Sequence, residues 1–412
     1  MLSLETSIQQ SVKVELRSCR INDLVTGLPA LGREIALQAA VDLIEQLQEQ
    51  QFADLRAGLR EAVCERCGVV HCGGAAALAR RGGRMRKLKT SSGVLVFKLR
   101  QLTCGECGRT WSPFACWLGL KARQRVCEEL ERKLVEGVTE FSYAKTCALG
   151  AAWLGATLSP KTLHRNVQQR GSEVRFTPAA KCAVALADGT KVPAGPGDRG
   201  CEIRFSLQIL GREQHHGRPR VLKRIAGWSV GAGSWSRAIP AGIATDAIVT
   251  DRGQGLAELM QQKEYRGVFH GMCEWHLGHS LDHYLLLDGV KNQDRKQHVA
   301  QLGRLVWGAA SKRAAAFQAL RDALKDCPQA STMLRNVASY VVSRRRPAER
   351  TTSVIEREMR EINRRTDVGA RWSVPGVDHL LRLRHSKRIN PDDFNRVWST
   401  VERAVFHTVP LA

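Results

Sequence analysis

The stretch that decides the fold is DAIVTDRGQGLAELMQQKEY, residues 246–265. Ala247 to Thr250 is a short apolar run rich in β-branched residues, which reads as a buried strand. The glycines of DRGQG break it, and LAELMQQKEY then carries apolar residues at helical spacing. Asp251 therefore falls where a strand runs out and a turn into a helix begins. Upstream, KCAVALADGTKVP (181–193), CEIRFSLQIL (201–210) and RPRVLKRIAGWSV (218–230) read as three strands separated by glycine-bearing loops. Downstream, GVFHGMCEWHLGHSLDHYLLLDG (267–289) supplies a fifth strand and a further helix.

Three consecutive strands followed by strand, helix, strand and helix is the order expected of an RNase H-like α/β core. Asp188, expected to end the first strand, and Asp251 would lie side by side in such a core. Phosphoryl transfer by two divalent cations about 3.5 to 4 Å apart needs carboxylates on rigid elements. Two carboxylates so close raise each other's pKa, and Mg²⁺ removes that penalty. Gly189 of DGT and the glycines of DRGQG would leave room for a nucleic-acid backbone. The plain alternative makes Asp251 a helix N-cap and Asp188 a turn residue. A third carboxylate is therefore required. After a helical stretch over roughly 291–345 comes SRRRPAERTTSVIEREMREINRRTDVGARWSVPGVDHLLRLR (343–384). A helix is expected to begin near Thr352 or Ser353, with Glu356 one turn in, ahead of Arg357, Arg360, Arg364 and Arg365. Glu356 is either the missing metal ligand, with the arginines meeting phosphate, or one half of a Glu356–Arg360 pair worth about 0.2 to 0.5 kcal/mol.

The front of the chain is built differently. From about Leu24 to Ala62 the pattern is helical, and an amphipathic helix docked on its own domain is the expectation, with a dimer-forming arm as the alternative. CERCGVVHCGG (64–74) and LTCGECGRTWSPF (102–114) then bracket the strand-like GVLVFKLRQL (93–102). Two Cys-x-x-Cys knuckles around β structure make a zinc ribbon, with Cys64, Cys67, Cys104 and Cys107 as the ligands of a structural Zn²⁺ and His71 and Cys72 as rivals. Gly68 and Gly108 suit the turn each knuckle needs. The basic segment RRGGRMRKLK between the knuckles reads as an exposed loop able to lie on phosphates. SYAKTCALGAAWLG (142–155) and ATLSPKTLHRNVQQ (156–169) form a helix-turn-helix-like pair, the second opened by Ser159 and Pro160. Lys161, His164, Arg165, Gln168 and Gln169 would stud a recognition helix, with a plain helical hairpin as the alternative.

LADGT (186–190), IVTDRGQGLAEL (248–259), CEWHLGHSLDHYL (273–285) and SVIEREMREINRRTDVGARWS (353–373), in this order, resemble the DDE transposases of prokaryotic insertion sequences, in the broad Mutator-like group. The resemblance covers about Ala180 to Arg384. It implies an RNase H-like core carrying Asp188, Asp251 and Glu356 as catalytic, Mg²⁺-binding acids, with Mn²⁺ as a substitute and a helical insertion before the Glu. It also implies a Cys-x-x-His element at Cys273 and His276, whose local sequence favours packing, with orientation of the core or DNA, or metal binding, as alternatives. Trp372 is similar to a residue that stacks on an unpaired base near the cleavage point, or else is buried in the core. Arg360 and Arg364 join Lys161, Arg165 and Gln168 as expected DNA contacts.

Bulk composition agrees with this. The 412 residues carry 63 Lys and Arg against 40 acids, a formal charge of +23, which points to a polyanion partner. No apolar run reaches the roughly 18 residues of a membrane span, and Glu5, Lys13 and Glu15 replace an apolar signal core, so a cytoplasmic, nucleoid-associated protein is expected. Thirteen cysteines, odd in number, suit metal binding and core packing better than disulfides. The expected layout is a helical N-terminal region (1–62), a zinc-ribbon-like domain (63–118), a helix-turn-helix-like region (119–178), a first part of the core (179–290), a helical insertion (291–348) and C-terminal core helices (349–412). The function expected is Mg²⁺-dependent cleavage and strand transfer at terminal inverted repeats, by a homo-oligomer on double-stranded DNA. A nuclease of the same fold, a non-catalytic DNA-binding regulator and an RNA-binding zinc protein are the rivals.

Overall fold

The computed structural model describes residues 21–73, 78–195, 200–231, 235–251, 255–369 and 371–398. The chain divides into two compact units, Met1–Val167 with Trp398–Ala412, and Gln168–Val397.

In the first unit, helix α1 (Ile21–Arg56) begins a little earlier than the periodicity indicates and runs through Pro29. Its C-terminal part docks on a sheet of the same unit. Gln48 is fully buried, its Nε2 donating to Lys98 O at 3.0 Å and its Oε1 accepting from Arg100 N at 2.8 Å, while Phe52 and Leu55 enter the apolar core. A two-stranded ladder of β1 (Ala62–Val63) and β2 (Val70–His71) precedes an antiparallel sheet of β3 (Leu78–Thr90), β4 (Gly93–Cys104) and β5 (Thr110–Trp111), in the order β3-β4-β5. From Gly93 to Leu99 strand β4 alternates: Leu95, Phe97 and Leu99 are buried, Val94, Val96 and Lys98 exposed. The basic segment expected as a loop is instead strand β3, paired from Leu78 to Thr90 with a bulge between Arg80 and Gly83, where Gly82 takes a φ of +60°. Its partner's β propensity supplies the ladder, and an edge strand tolerates outward-facing Arg and Lys. Helices α2 (Pro113–Trp117), α3 (Glu128–Glu140), α4 (Tyr143–Leu154) and α5 (Pro160–Glu173) follow. Gly155, at φ +65°, ends α4, and Ser159 Oγ accepts from Thr162 N at 3.2 Å to open α5.

The second unit is built on a five-stranded mixed sheet of β6 (Cys182–Val192), β7 (Cys201–His215), β8 (Arg218–Val230), β9 (Thr245–Thr250) and β10 (Phe269–Met272). Its order is β10-β9-β6-β7-β8, with β7 antiparallel to both β6 and β8, and β9 and β10 parallel to β6. Short helices α6 (Trp235–Ala238) and α7 (Leu256–Met260) lie between the later strands. The two faces have separate cores. Val184, Leu186, Ala247 and Val249 face one, Ala185, Ala187 and Ile248 the other, as a period of two requires. Helix α8 (Glu274–Leu287) joins α9 (Asn292–Trp307), α10 (Arg313–Ala323) and α11 (Pro328–Val342) around a third apolar cluster of their own. Helices α12 (Ser353–Thr366) and α13 (Val374–Ile389), which cover the first face of the sheet through Ile355, Met359, Ile362, Val377 and Leu381, precede the short α14 (Pro391–Asn395). One expectation is corrected: β6 does not end at Asp188 but stays paired with β7 as far as Val192. What ends there is its other ladder, since parallel pairing with β9 stops at Leu186 against Val249.

Candidate functional site

The first unit holds a four-cysteine cluster. Each knuckle is a tight turn: Gly68 N donates to Cys64 O at 3.0 Å and Gly108 N to Cys104 O at 2.9 Å, with both glycines at positive φ (+71° and +67°). The turns bring Cys64 Sγ to 3.6 Å from Cys107 Sγ and Cys67 Sγ to 3.7 Å from Cys104 Sγ, and all four sulfurs lie within 4.8 Å of one another. Four thiolates around zinc at about 2.3 Å stand roughly 3.8 Å apart at tetrahedral angles, so the cluster has the size of a closed Cys₄ zinc site. The backbone N–H of Cys67 is the main influence holding the Cys64 thiol down to about 6, against its burial. The rivals fall outside. His71 is buried beside Trp111, ring centroids 5.7 Å apart, and Cys72 Sγ donates to Gly58 O at 3.4 Å.

The second unit holds the acids. Asp188 on β6 and Asp251 after β9 each lie two residues beyond the last parallel pair, Leu186 with Val249, and so stand at the same level on neighbouring strands. Asp188 is half-buried and Asp251 exposed. Burial, then the nearby charges of Asp251 and Glu356, push the Asp188 carboxyl up to about 6, against a 2.7 Å hydrogen bond from Gly189 N and the influence of His276. Asp188 thus feels both of the other acids, although the three do not close into a single-ion cluster. Gly189 has a reason within the chain: a Cβ there would meet Glu202 Oε1 at 3.1 Å and Ile203 O at 3.3 Å, so the residue is small because β7 packs against it. Of DRGQG, Arg252, Gly253 and Gln254 lie outside the described residues, and Gly255 has a φ of +86°.

Glu356, one turn into α12, is held by a network rather than by Arg360. Thr352, fully buried at the N-cap, donates its hydroxyl to Glu356 Oε1 at 2.6 Å, and its own Oγ1 lies 3.3 Å from His276 Nδ1. Thr352 N donates to Cys273 Sγ at 3.3 Å. His276 Nδ1 stands 4.0 Å from Glu356 Oε1, and Cys273, His276 and Glu356 offer ligand atoms all within 4.8 Å of one another. Burial raises the Cys273 thiol, but hydrogen bonds with His276 and Thr352 outweigh it and bring the pKa below normal. The bond to Cys273 raises that of His276 in turn, against burial and aided by Glu356 and Asp188. Cys273 is thus buried and His276 half-buried, both against Thr352 and Glu356.

The chain matches no protein-family model and no curated protein.

The other residues singled out in the sequence fall into two groups. Lys161, His164, Arg165 and Gln169 are exposed along α5, opposite the fully buried Leu163 and Val167, and Arg357, Arg360 and Arg364 are exposed on α12. Arg364 Nη1 donates to Glu361 at 2.7 Å. Gln168 and Trp372 are turned inward. Gln168 Oε1 accepts from His379 Nδ1 at 2.8 Å. Trp372 packs against the sheet core, donates Nε1 to Thr366 O at 3.1 Å and lies under the buried Arg365 guanidinium, 5.3 Å from its ring.

Thr352 is the residue of the site that the sequence reading missed except as a helix start. Behind it lies a second missed group. Buried Glu274 accepts from Arg350 Nε at 2.8 Å and from Tyr340 OH at 3.3 Å, while its backbone N donates to Arg350 O at 3.0 Å. This pins the start of α8 to the approach to α12. Glu274 follows Cys273 directly, but its partner lies 76 positions away, beyond any local signal.

Proposed function

We propose that the protein is a DNA transposase of the DDE type, in which Asp188, Asp251 and Glu356 hold two Mg²⁺ ions on an RNase H-like core. The observation that carries the reading is the common level of Asp188 and Asp251 on adjacent parallel strands, with Glu356 close enough for its charge to reach Asp188. The sheet order, with the first strand central and the fourth and fifth parallel to it, fits such a core. So does the separate helical cluster inserted between Asp251 and Glu356.

Bound Mg²⁺ would supply an activated water or 3′-hydroxyl and a counter-charge for the leaving oxygen. The chain's own residues do the rest. Thr352 aims one Glu356 oxygen by a short hydrogen bond, and Gly189 N–H fixes one oxygen of Asp188. Asp188, raised to about 6 when metal-free, would lose its proton on meeting a cation. The exposed basic residues of α5 and α12 would neutralise phosphates, with Lys161 and Arg165 on a recognition helix for the terminal inverted repeats and Arg360 and Arg364 near the acids. The four cysteines would bind structural Zn²⁺.

The test is strand transfer with Mg²⁺ and a pre-cut DNA end taken from the flanks of the gene. Joined products from the unaltered protein, lost by at least about 10³-fold in Asp188→Asn, Asp251→Asn and Glu356→Gln while end binding persists, are expected; such a loss corresponds to roughly 4 kcal/mol of barrier. Cleavage without joining would instead make the protein a nuclease, and binding without either a regulator.

A further inference from the structure

Cys273, His276 and Glu356 share no local motif as a trio, since the last lies on another helix, yet they converge within 4.8 Å. We propose that they form a second transition-metal site, for Zn²⁺ or a similar borderline divalent cation, distinct from both the four-cysteine cluster and the proposed Mg²⁺ pair. The inference shares Glu356 with that pair but does not depend on it.

The donor set decides the kind of ion. One thiolate, one imidazole and one carboxylate suit zinc, cobalt or iron, whereas Mg²⁺ avoids sulfur and prefers oxygen alone. Cys273 and His276, three apart at the start of α8, place their donors on one side of its first turn. The 4.0 Å separation of His276 Nδ1 and Glu356 Oε1 is wider than the roughly 3.2 to 3.8 Å between ligands of a tetrahedral ion, so side-chain rotation of under about 1 Å closes the set. The surroundings already behave as a supporting shell: Thr352 N and Oγ1 both reach the Cys273 sulfur, at 3.3 and 3.1 Å. The Glu274–Arg350 pair fixes the two chain segments that carry the ligands. Cys273 is buried, but the His276 and Glu356 side chains keep about a third of their surface open (31 and 34 %), which leaves a way in for an ion and a fourth position for water. Three protein ligands with one open position make a working or exchangeable site, unlike the closed four-cysteine cluster. Because Glu356 belongs to both sets, occupancy here would draw it away from Asp188 and Asp251, and a soft cation would then act as a brake on a Mg²⁺-dependent reaction.

The test counts metal, without DNA. The full chain is loaded with Zn²⁺, freed of loosely held ion and assayed for zinc per chain, and Co²⁺ loading is followed by its thiolate-to-metal absorption. Two equivalents are expected in the unaltered protein, one in Cys273→Ala and one in His276→Ala, and at least about tenfold weaker binding of the second ion in Glu356→Gln. His276 is partly exposed, so its variant keeps the question open to measurement should Cys273→Ala misfold. The remaining cobalt in both Ala variants should show the four-thiolate spectrum. A single equivalent in the unaltered protein, or a second one that survives both Ala substitutions or is untouched by Glu356→Gln, overturns the proposal. Failure of strand transfer bears on the acids alone and leaves the zinc count untouched.

Discussion

The four-cysteine cluster and the acidic site are opposite solutions to holding charge. In the cluster, two turns of identical design point four sulfurs at one centre, and a backbone N–H group eases the Cys64 thiol toward ionisation. In the acidic site, carboxylates from β6, the end of β9 and α12 are brought near one another, and burial together with the neighbouring charges pushes Asp188 toward protonation. The first arrangement has the size and donor set to close around one ion. The second leaves Asp188 buried beside like charges, a penalty that a cation or a proton would relieve, as the proposed metal site requires.

The sharpest way to break the comparison is to deprive the four-cysteine cluster of metal. Apparent binding energies of structural zinc, about 10 to 16 kcal/mol, match or exceed the whole stability of an ordinary domain, roughly 5 to 15 kcal/mol. Chelation, or Cys104→Ser, is therefore expected to abolish hydrogen-exchange protection along β4, whose core residues Leu99 and Leu102 sit beside the second knuckle. Protection that survives chelation would show that the cysteines pack without metal.

The next effect concerns Asp188, held up by burial and by its acidic neighbours, and has a definite sign. Asp188 has a folded pKa of about 6 against an ordinary 3.8. Between these values the unfolded chain ionises first, so stability falls as pH rises through this window and stays reduced above it. Asp188→Asn removes that penalty. In Mg²⁺-free buffer the variant should gain up to about 3 kcal/mol over the parent at pH 7.5, less where solvent screens the charge, and little at pH 4.5. Mg²⁺ at pH 7.5 should raise the melting temperature of the parent but not of the variant. An equal difference at both pH values would mean that Asp188 is not under strain.

These two regions were also unequally legible in sequence. The Cys₄ set could be read because each knuckle is local, and two spacings and two glycines suffice. The five strands of the second unit followed from β-branched runs and glycine breaks, but the end of the first did not, since its pairing with β7 carries β6 past Asp188 to Val192. What escaped was long-range. That Arg80–Lys89 would pair with β4 is decided by a partner strand, not by its own charge-rich composition. That Gln168 and Trp372 would turn inward depends on His379 and on Thr366 and Arg365, contacts no periodicity encodes. Thr352 was visible only as a cap, because its partners Cys273 and His276 lie 79 and 76 positions away.

Thr352 offers a smaller test, confined to the acidic site. Thr352→Val keeps the shape and deletes the hydroxyl that reaches Glu356, His276 and Cys273. Leaving buried partners unsatisfied costs about 1 to 3 kcal/mol, and Thr352→Ser should restore most of it. A positioning role predicts more than lost stability: the NMR-detected titration of His276 should move with Val and return with Ser. A titration unchanged in the Val variant would reduce Thr352 to a packing residue.

The smallest effect on the fold should come from Arg364, and its smallness is informative. Its side chain is 74 % exposed and its partner Glu361 also accepts from Arg384 and Arg388, so Arg364→Ala should change stability by no more than about 0.5 kcal/mol. Its value, if it contacts DNA, lies in counterion release. Each phosphate contact contributes about 0.9 to the slope of log affinity against log salt, so the variant should lower that slope by roughly one while weakening binding to all sequences alike. Buried Arg365 is the matched control: pressed on Trp372, it should cost stability and leave the salt slope alone. If Arg364→Ala destabilises as Arg365→Ala does, with no change in slope, α12 presents a structural face to solvent and its arginines are not part of a DNA interface.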